Sequence, residues 1–359
     1  MVRIGVIGLG NMGSGHVSTL AGIESASVTA IADEDFARLA KYPDIKGFSD
    51  PQLLLESGEV DAVVIATPHF SHTTLGIAAL KAGLHVLVEK PVSVHKADAE
   101  RLIAAHDGKQ VFAAMFNQRT DPYYQAIKQV VSEGRLGDLV RTNWIITDWF
   151  RPDSYYASGG WRATWRGEGG GVLLNQSPHN LDLFQWICGM PSRVRAFCGF
   201  GKCHDIEVED DVTAYLEYPN GATGVFITGT GEAPGTNRLE IAGDLGKLVY
   251  EGGLITITEN EMSAREFSRT SDKPFSAPGR TSSEIRFEHH GAQHREILRN
   301  FVAAIEDGEA LIAPAVEGIH SVELANAMLY STWTDRTVEI PLDSAAYESA
   351  LQEKIAAGR

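Results

Sequence analysis

The run Gly8-Leu9-Gly10-Asn11-Met12-Gly13 constrains this chain most, because it follows the apolar stretch Arg3–Ile7 without a gap. Gly8 permits a tight turn, Gly10 lets the backbone approach a pyrophosphate, and Gly13 lets the next helix pack closely on the strand. The helix N-terminus beyond it attracts an anion. Further apolar runs follow at Ser27–Ala32, Asp61–Ala66, Leu84–Glu89 and Gln110–Phe116. Their Val and Ile content suits strands buried on both faces. Helix-like stretches lie between them; one is Thr73–Ala82, stopped by Gly83. Repeated strand–helix–strand units predict a doubly wound parallel sheet of the Rossmann kind over residues 1–120.

The pattern changes after Asp121-Pro122. A helical stretch, Tyr123–Ser132, leads into the alternating run Leu139–Trp149. Strand-like runs then succeed one another at Arg193–Phe200, Asp211–Tyr218, Ala222–Ile227, Asn237–Ala242, Lys247–Tyr250 and Leu254–Thr258. Without helices between them, such strands predict an open, mostly antiparallel sheet. Helical patterns return at His294–Ile305 and Val316–Thr332. The polar stretch Ser263–Ser283 reads as a loop. The expected architecture is therefore α/β plus α+β, with a second domain over residues 121–359. At 359 residues the chain exceeds one ordinary core.

Composition narrows the function. A net charge of −16 disfavours nucleic acid and anionic membrane as partners. The opening MVRIGVIGLG lacks the layout of a signal peptide, and Cys188, Cys198 and Cys203 form no C-x-x-C pair. A cytoplasmic location is expected.

The cofactor side is drawn from several positions. Asp33 ends the second strand 20 positions after Gly13, where a carboxylate accepts hydrogen bonds from an adenosine ribose. A carboxylate there repels a 2′-phosphate, which favours NAD over NADP, although Arg38 stands nearby. Ends of parallel strands face the ligand crevice, which selects Thr67, Pro68 and His72 after the third run, Glu89 and Lys90 after the fourth, and Asn117 after the fifth.

Two motifs carry chemistry. In Glu89-Lys90-Pro91 the lysine can hold a substrate oxygen and stabilise alkoxide character. In the segment Gly169–Asp182, a continuous helix would put Asn175 and His179 on one face, with Asp182 a turn further on. Pro178 either kinks that helix or stands at its first position with Ser177 as cap. His179 is the natural proton acceptor for a hydroxyl being oxidised.

Ahead of that segment, Asp148–Arg151, Tyr155-Tyr156 and Gly160–Arg166 crowd aromatic and guanidinium groups. Sugar sites pair apolar ring faces with polar donors, so Trp149, Tyr156, Trp161, Arg162 and Trp165 join Arg119, Lys90, Asn175 and His179 as candidate substrate contacts. Arg162 is also within the cofactor set. His289, His290 and His294 lack a matching ligand pattern, and no metal is expected.

The glycine turn, Glu89-Lys90-Pro91 and the GGG-x-L-x-x-x-x-x-H-x-x-D run together resemble the glucose–fructose oxidoreductase/inositol dehydrogenase/MocA (Gfo/Idh/MocA) family over nearly the whole chain. The resemblance implies a nicotinamide as hydride carrier and a C-terminal sheet that carries substrate contacts and oligomer interfaces. It implies a catalytic lysine and histidine, matched by Lys90 and His179. The family's aspartate four residues before the histidine is Asn175 here. The expected activity is reversible NAD-dependent oxidation of a secondary hydroxyl on a cyclitol, sugar or glycoside. Inositol dehydrogenation and sugar 3-dehydrogenation are the leading forms; anhydrosugar oxidation and ketosugar reduction stay open. A non-catalytic NAD-binding regulator is the alternative of another class. A homodimer or homotetramer is expected.

Overall fold

The computed structural model describes residues 1–358. Its first part alternates β1 (Val2–Ile7), α1 (Asn11–Leu20), β2 (Ala26–Ala32), α2 (Phe36–Leu39), β3 (Lys46–Phe48) and α3 (Pro51–Leu55). It continues through β4 (Ala62–Ile65), α4 (His69–Lys81), β5 (His85–Val88), α5 (Lys96–Ala104) and β6 (Phe112–Ala114). The strands form one parallel sheet in the order β3-β2-β1-β4-β5-β6. Order reverses beside β1, and a crevice at such a switch point receives ligands at the strands' C-terminal ends. Residues Ala62–Ile65 are wholly buried because helices cover both faces of the sheet.

The second part runs α6 (Pro122–Ser132), β7 (Leu139–Ile146), α7 (Asp153–Tyr156), α8 (Pro178–Cys188), β8 (Arg193–Phe200), β9 (Glu209–Glu217) and β10 (Thr223–Gly229). After these come β11 (Asn237–Gly243), β12 (Gly246–Glu251), β13 (Leu254–Asn260), α9 (Ala264–Thr270), β14 (Arg280–Arg286) and α10 (His294–Asp307). The chain closes with α11 (Gly318–Trp333), β15 (Val338–Glu339) and α12 (Ser344–Ala357). Nine strands make the second sheet, in the order β14-β13-β12-β11-β7-β10-β9-β8-β15. Only β10 and β7 pair in parallel; the other neighbours are antiparallel. One face packs on α8 and α11 and buries Val212, Ala214 and Leu216 of β9, while the alternate residues face out.

Several local expectations change. β3 was not expected, because three residues are too short to show a period. The polar stretch 263–283 contains α9, capped by Ser263, and the start of β14. The segment 169–177 is a series of turns, and the helix begins at Pro178 in its first position. Ser177 precedes it, but its hydroxyl bonds Thr228 Oγ1 at 2.8 Å instead of capping the helix. Finally, α10 returns to the first layer, where Ile297, Leu298, Phe301 and Val302 join the core of the parallel sheet. No helix among the described residues is long and apolar enough to cross a membrane.

Candidate active site

The glycine turn is shaped by contacts that a side chain would block. Gly8 has φ +88, and a Cβ there would lie 2.6 Å from the Ala66 carbonyl oxygen. A Cβ on Gly13 would collide with the Gly8 carbonyl oxygen, so the helix can approach only as glycine. At Gly10 a Cβ would meet nothing within 4 Å, which leaves open space against bare backbone. Asn11 and Met12 begin α1, whose N-terminus has no side-chain cap, so its first N–H groups remain free for an anion.

Asp33 braces this turn. Its Oδ2 accepts the Leu9 N–H at 2.7 Å and Arg38 Nη1 at 3.2 Å, and its Oδ1 accepts the Asp35 N–H at 2.9 Å. Across the crevice, the buried atoms Thr67 Oγ1 and Asn117 Oδ1 have no hydrogen-bond partner among the described residues. Open backbone, a free helix end and orphaned polar atoms at two strand ends fit a dinucleotide. Pro68 precedes α4 and is exposed at the rim.

Glu89 and Lys90 leave the end of β5 in opposite senses. Glu89 is 5 % exposed and accepts His16 Nε2 at 2.7 Å. Burial alone would raise its carboxyl, but the hydrogen bond and charge of His16 outweigh that and hold it at about 2. Lys90 points the other way, and its Nζ donates to the main-chain carbonyl oxygen of Asn175 at 2.7 Å. Burial lowers the ammonium's pKa, opposed by the negative charges of Glu89 and Glu168.

The turns over 169–177 bring Asn175 and His179 to the same place. They are pinned by Glu209, whose fully buried carboxylate accepts the Gly171 N–H at 2.8 and 2.9 Å and the Leu173 N–H at 3.0 Å. His179 meets the Phe116 ring edge-on at 6.3 Å, and its Nδ1 is buried without a partner among the described residues. Burial, then the positive charge of Lys90, pushes the ring down to about 3, so it is neutral near pH 7. Asn175 donates from Nδ2 to the Glu168 carboxylate and accepts the Tyr155 hydroxyl at 3.3 Å. Arg162 lies between the Tyr155 and Trp161 rings, 4.7 and 4.6 Å from their centroids, and donates to the Tyr155 hydroxyl at 3.0 Å. Tyr156 bonds Thr230 at 2.8 Å, and Trp149 Nε1 donates to Asn180 at 2.9 Å, next to His179.

Three expected contacts lie elsewhere. Arg119 is 1 % exposed and forms a two-pronged pair with Asp182 at 2.7 Å on each arm, plus a further bond to Glu317 Oε2 at 2.5 Å. It faces inward because burying a guanidinium demands carboxylate partners; Asp182 is thereby also removed from His179. Trp165 is 6 % exposed and packs on Phe200 and Trp333, with centroids 5.8 and 5.4 Å away. His72 is fully buried, its nitrogens set against the Pro91 and Thr67 carbonyl oxygens at 2.8 and 2.9 Å, so it ties two crevice loops together from behind. Conversely, His16, Glu168 and Glu209 shape the site and were not foreseen, while Tyr155 comes from the expected aromatic cluster. An acid directly before the triple glycine, and a histidine three residues after Gly13, were the available signals. The described residues contain no His/Cys/Asp/Glu group able to hold a metal.

The chain is similar to known proteins in sequence and fold. Residues 2–116 match the oxidoreductase family model with an NAD-binding Rossmann fold, and residues 124–249 match the GFO/IDH/MocA C-terminal domain. The chain is 27% identical over 330 residues to myo-inositol 2-dehydrogenase of Thermotoga maritima, covering 88% of this chain and 91% of that protein. Against inositol 2-dehydrogenase 2 of Saccharopolyspora erythraea it is 26% identical over 369 residues, with 96% and 98% covered. The WlbA dehydrogenase of Bordetella pertussis, solved with NADH and UDP-GlcNAcA, superposes with a TM-score of 0.78 at 25% identity over 95% of this chain and 99% of that one. Levoglucosan dehydrogenase, solved with NADH and levoglucosan, shares the fold with a TM-score of 0.78 at 20% identity, covering 95% and 99%. The chain therefore belongs to the Gfo/Idh/MocA family of NAD-binding oxidoreductases.

Proposed function

We propose that this enzyme reversibly oxidises a secondary hydroxyl of a cyclitol, monosaccharide or glycoside. Residues 1–120 hold the dinucleotide, and residues 121–359 supply the substrate side. The observation that carries this reading is the 2.7 Å bond from Lys90 Nζ to the Asn175 carbonyl, which joins the two motifs beside His179. The inositol 2-dehydrogenase relatives support the cyclitol form, and the UDP-GlcNAcA bound by WlbA supports a sugar ring.

Gly8, Gly10, Asn11, Met12 and Gly13 cradle the pyrophosphate, and Asp33 takes the adenosine ribose. Thr67, Pro68, Glu89, Lys90, Asn117 and Arg162 border the nicotinamide half. When bound, the nicotinamide supplies the hydride acceptor. Lys90 holds the reacting oxygen with its ammonium and stabilises the negative charge that develops there. His179, kept neutral, takes the hydroxyl proton as the carbonyl forms and returns it in the reverse direction. Asn175 orients the substrate hydroxyl, while Trp149, Tyr156, Trp161 and Arg162 offer ring faces and donors.

Nicotinamide absorbance with a panel of inositols, monosaccharides, glycosides and an anhydrosugar tests the reading. NADH formation from a cyclitol or sugar is expected, abolished in Lys90→Met and His179→Ala. Tight NAD binding without turnover on the whole panel would favour a regulator instead. Exposed Phe197 and Tyr215, on the paired strands β8 and β9, support a homodimer or homotetramer, which light scattering of the purified protein decides.

A further inference from the structure

Residue 175 carries an amide, so the position four before His179 has no charge of its own. A carboxylate stands directly behind it. Glu168 is 2 % exposed; its Oε1 accepts Asn175 Nδ2, and its Oε2 accepts the Ala163 N–H at 2.6 Å. The main-chain carbonyl of the same asparagine, not its side-chain oxygen, receives Lys90. Resting on the function proposed above, we propose that Glu168 is a positioning residue which, through Asn175, supplies the negative charge that fixes the Lys90 ammonium in the site.

Chemistry distinguishes this from a loop fastening. Both groups that bond the carboxylate are donors, so the position calls for an acceptor-only side chain. Burial raises the Glu168 carboxyl, opposed by the hydrogen bonds from Ala163 and Asn175 and by the positive charges of Arg162 and Lys90, so the charged form depends on those cations. Arg162 Nη1 lies 3.8 Å from Glu168 Oε1, longer than a hydrogen bond, and is already committed to Tyr155. Lys90 provides the remaining cationic partner. The groups facing this pair come from every surrounding element: Glu89, Arg162 and Arg151 act on Lys90, and Lys90 acts on His179. Glu209 feels the Glu168 charge, and His69 Nδ1 meets the Glu168 backbone oxygen at 3.3 Å. Glu168 opposes the loss of the Lys90 proton that burial favours. Removing the carboxylate charge makes Lys90 deprotonate at lower pH, so the alkaline limb of kcat/KM moves acidward.

Lysine side-chain nitrogen NMR of the NAD-loaded protein reads Lys90 directly, with Lys90→Met assigning the signal. In Glu168→Gln the Lys90 midpoint and the alkaline limb should both fall by about one pH unit. In Glu168→Gln/Asn175→Asp the carboxylate moves one residue inward, and both should return toward wild type. Glu168→Asp keeps the charge and should hold the wild-type midpoint; it serves if the glutamine variant fails to fold. An unchanged Lys90 midpoint in Glu168→Gln, no recovery in the double variant, or a drop in Glu168→Asp as large as in Glu168→Gln would overturn the proposal. A wild-type protein inactive on every substrate would instead defeat the functional reading, and the NMR titration would still decide the role of Glu168.

Discussion

His16 on α1 donates a 2.7 Å hydrogen bond to Glu89 at the end of β5, and both side chains are buried. The helix that opens the glycine turn is thus tied to the strand that presents Lys90. Because the Glu89 carboxyl is held at about 2, below its ordinary value, the pair's stabilisation is complete above the unfolded carboxyl's pKa. It is lost as pH falls toward 2, and the shift corresponds to about 3 kcal/mol. Glu89→Gln should flatten that acid loss, as denaturant unfolding between pH 5 and about pH 2 would show. A variant as acid-sensitive as wild type would contradict it.

Asn175→Asp places a carboxylate four positions before His179, in the turn that leads into its helix. The ring is pushed down to about 3 by burial and by Lys90, and a negative neighbour opposes both effects. The acid limb of the oxidation pH–rate profile should therefore move upward. An unmoved limb would separate the two residues.

Arg119 is paired with Asp182 inside the protein, so its loss should appear in stability and not in substrate affinity. Arg119→Met leaves a buried carboxylate without its main cation, at a cost of about 3–5 kcal/mol. Equilibrium unfolding should show the loss, with KM across the active substrates unchanged. A raised KM in a fully stable variant would return Arg119 to the substrate side.

Asp33 braces the turn through Leu9, with Arg38 at 3.2 Å, and is the residue proposed to take the ribose. In Asp33→Ser the repulsion of a 2′-phosphate disappears while the guanidinium remains. The ratio of kcat/KM for NADP to that for NAD should rise by about tenfold, or 1.4 kcal/mol. Steady-state kinetics with both cofactors measures it. A constant ratio would show that Asp33 acts only as a brace for Leu9.

The sequence displays those parts of the fold whose signals are local. A glycine turn between a strand and a helix, or a run of alternating residues such as Leu139–Ile146, declares itself within a few positions. Lys46–Phe48 does not, because three residues carry no period. The site divides along the same line. Lys90 and His179 lie in recognisable motifs, whereas Glu209 meets the turn at Gly171 from 38 positions away, and His16 meets Glu89 from 73. Arg119 and Trp165 mislead because position at a strand end or in an aromatic cluster does not tell which way a side chain points. Packing against Phe200 and Trp333 turned Trp165 inward, and the need for a carboxylate partner did the same for Arg119.

The path of α10 has a consequence for how the molecule is made. Phe301 of α10 completes a core that includes β1, which begins at Val2, so this strand is made well before the helix that seals it. An excised amino-terminal fragment would leave that apolar wall bare to water, and the nucleotide cradle depends on a part of the chain some 300 positions downstream.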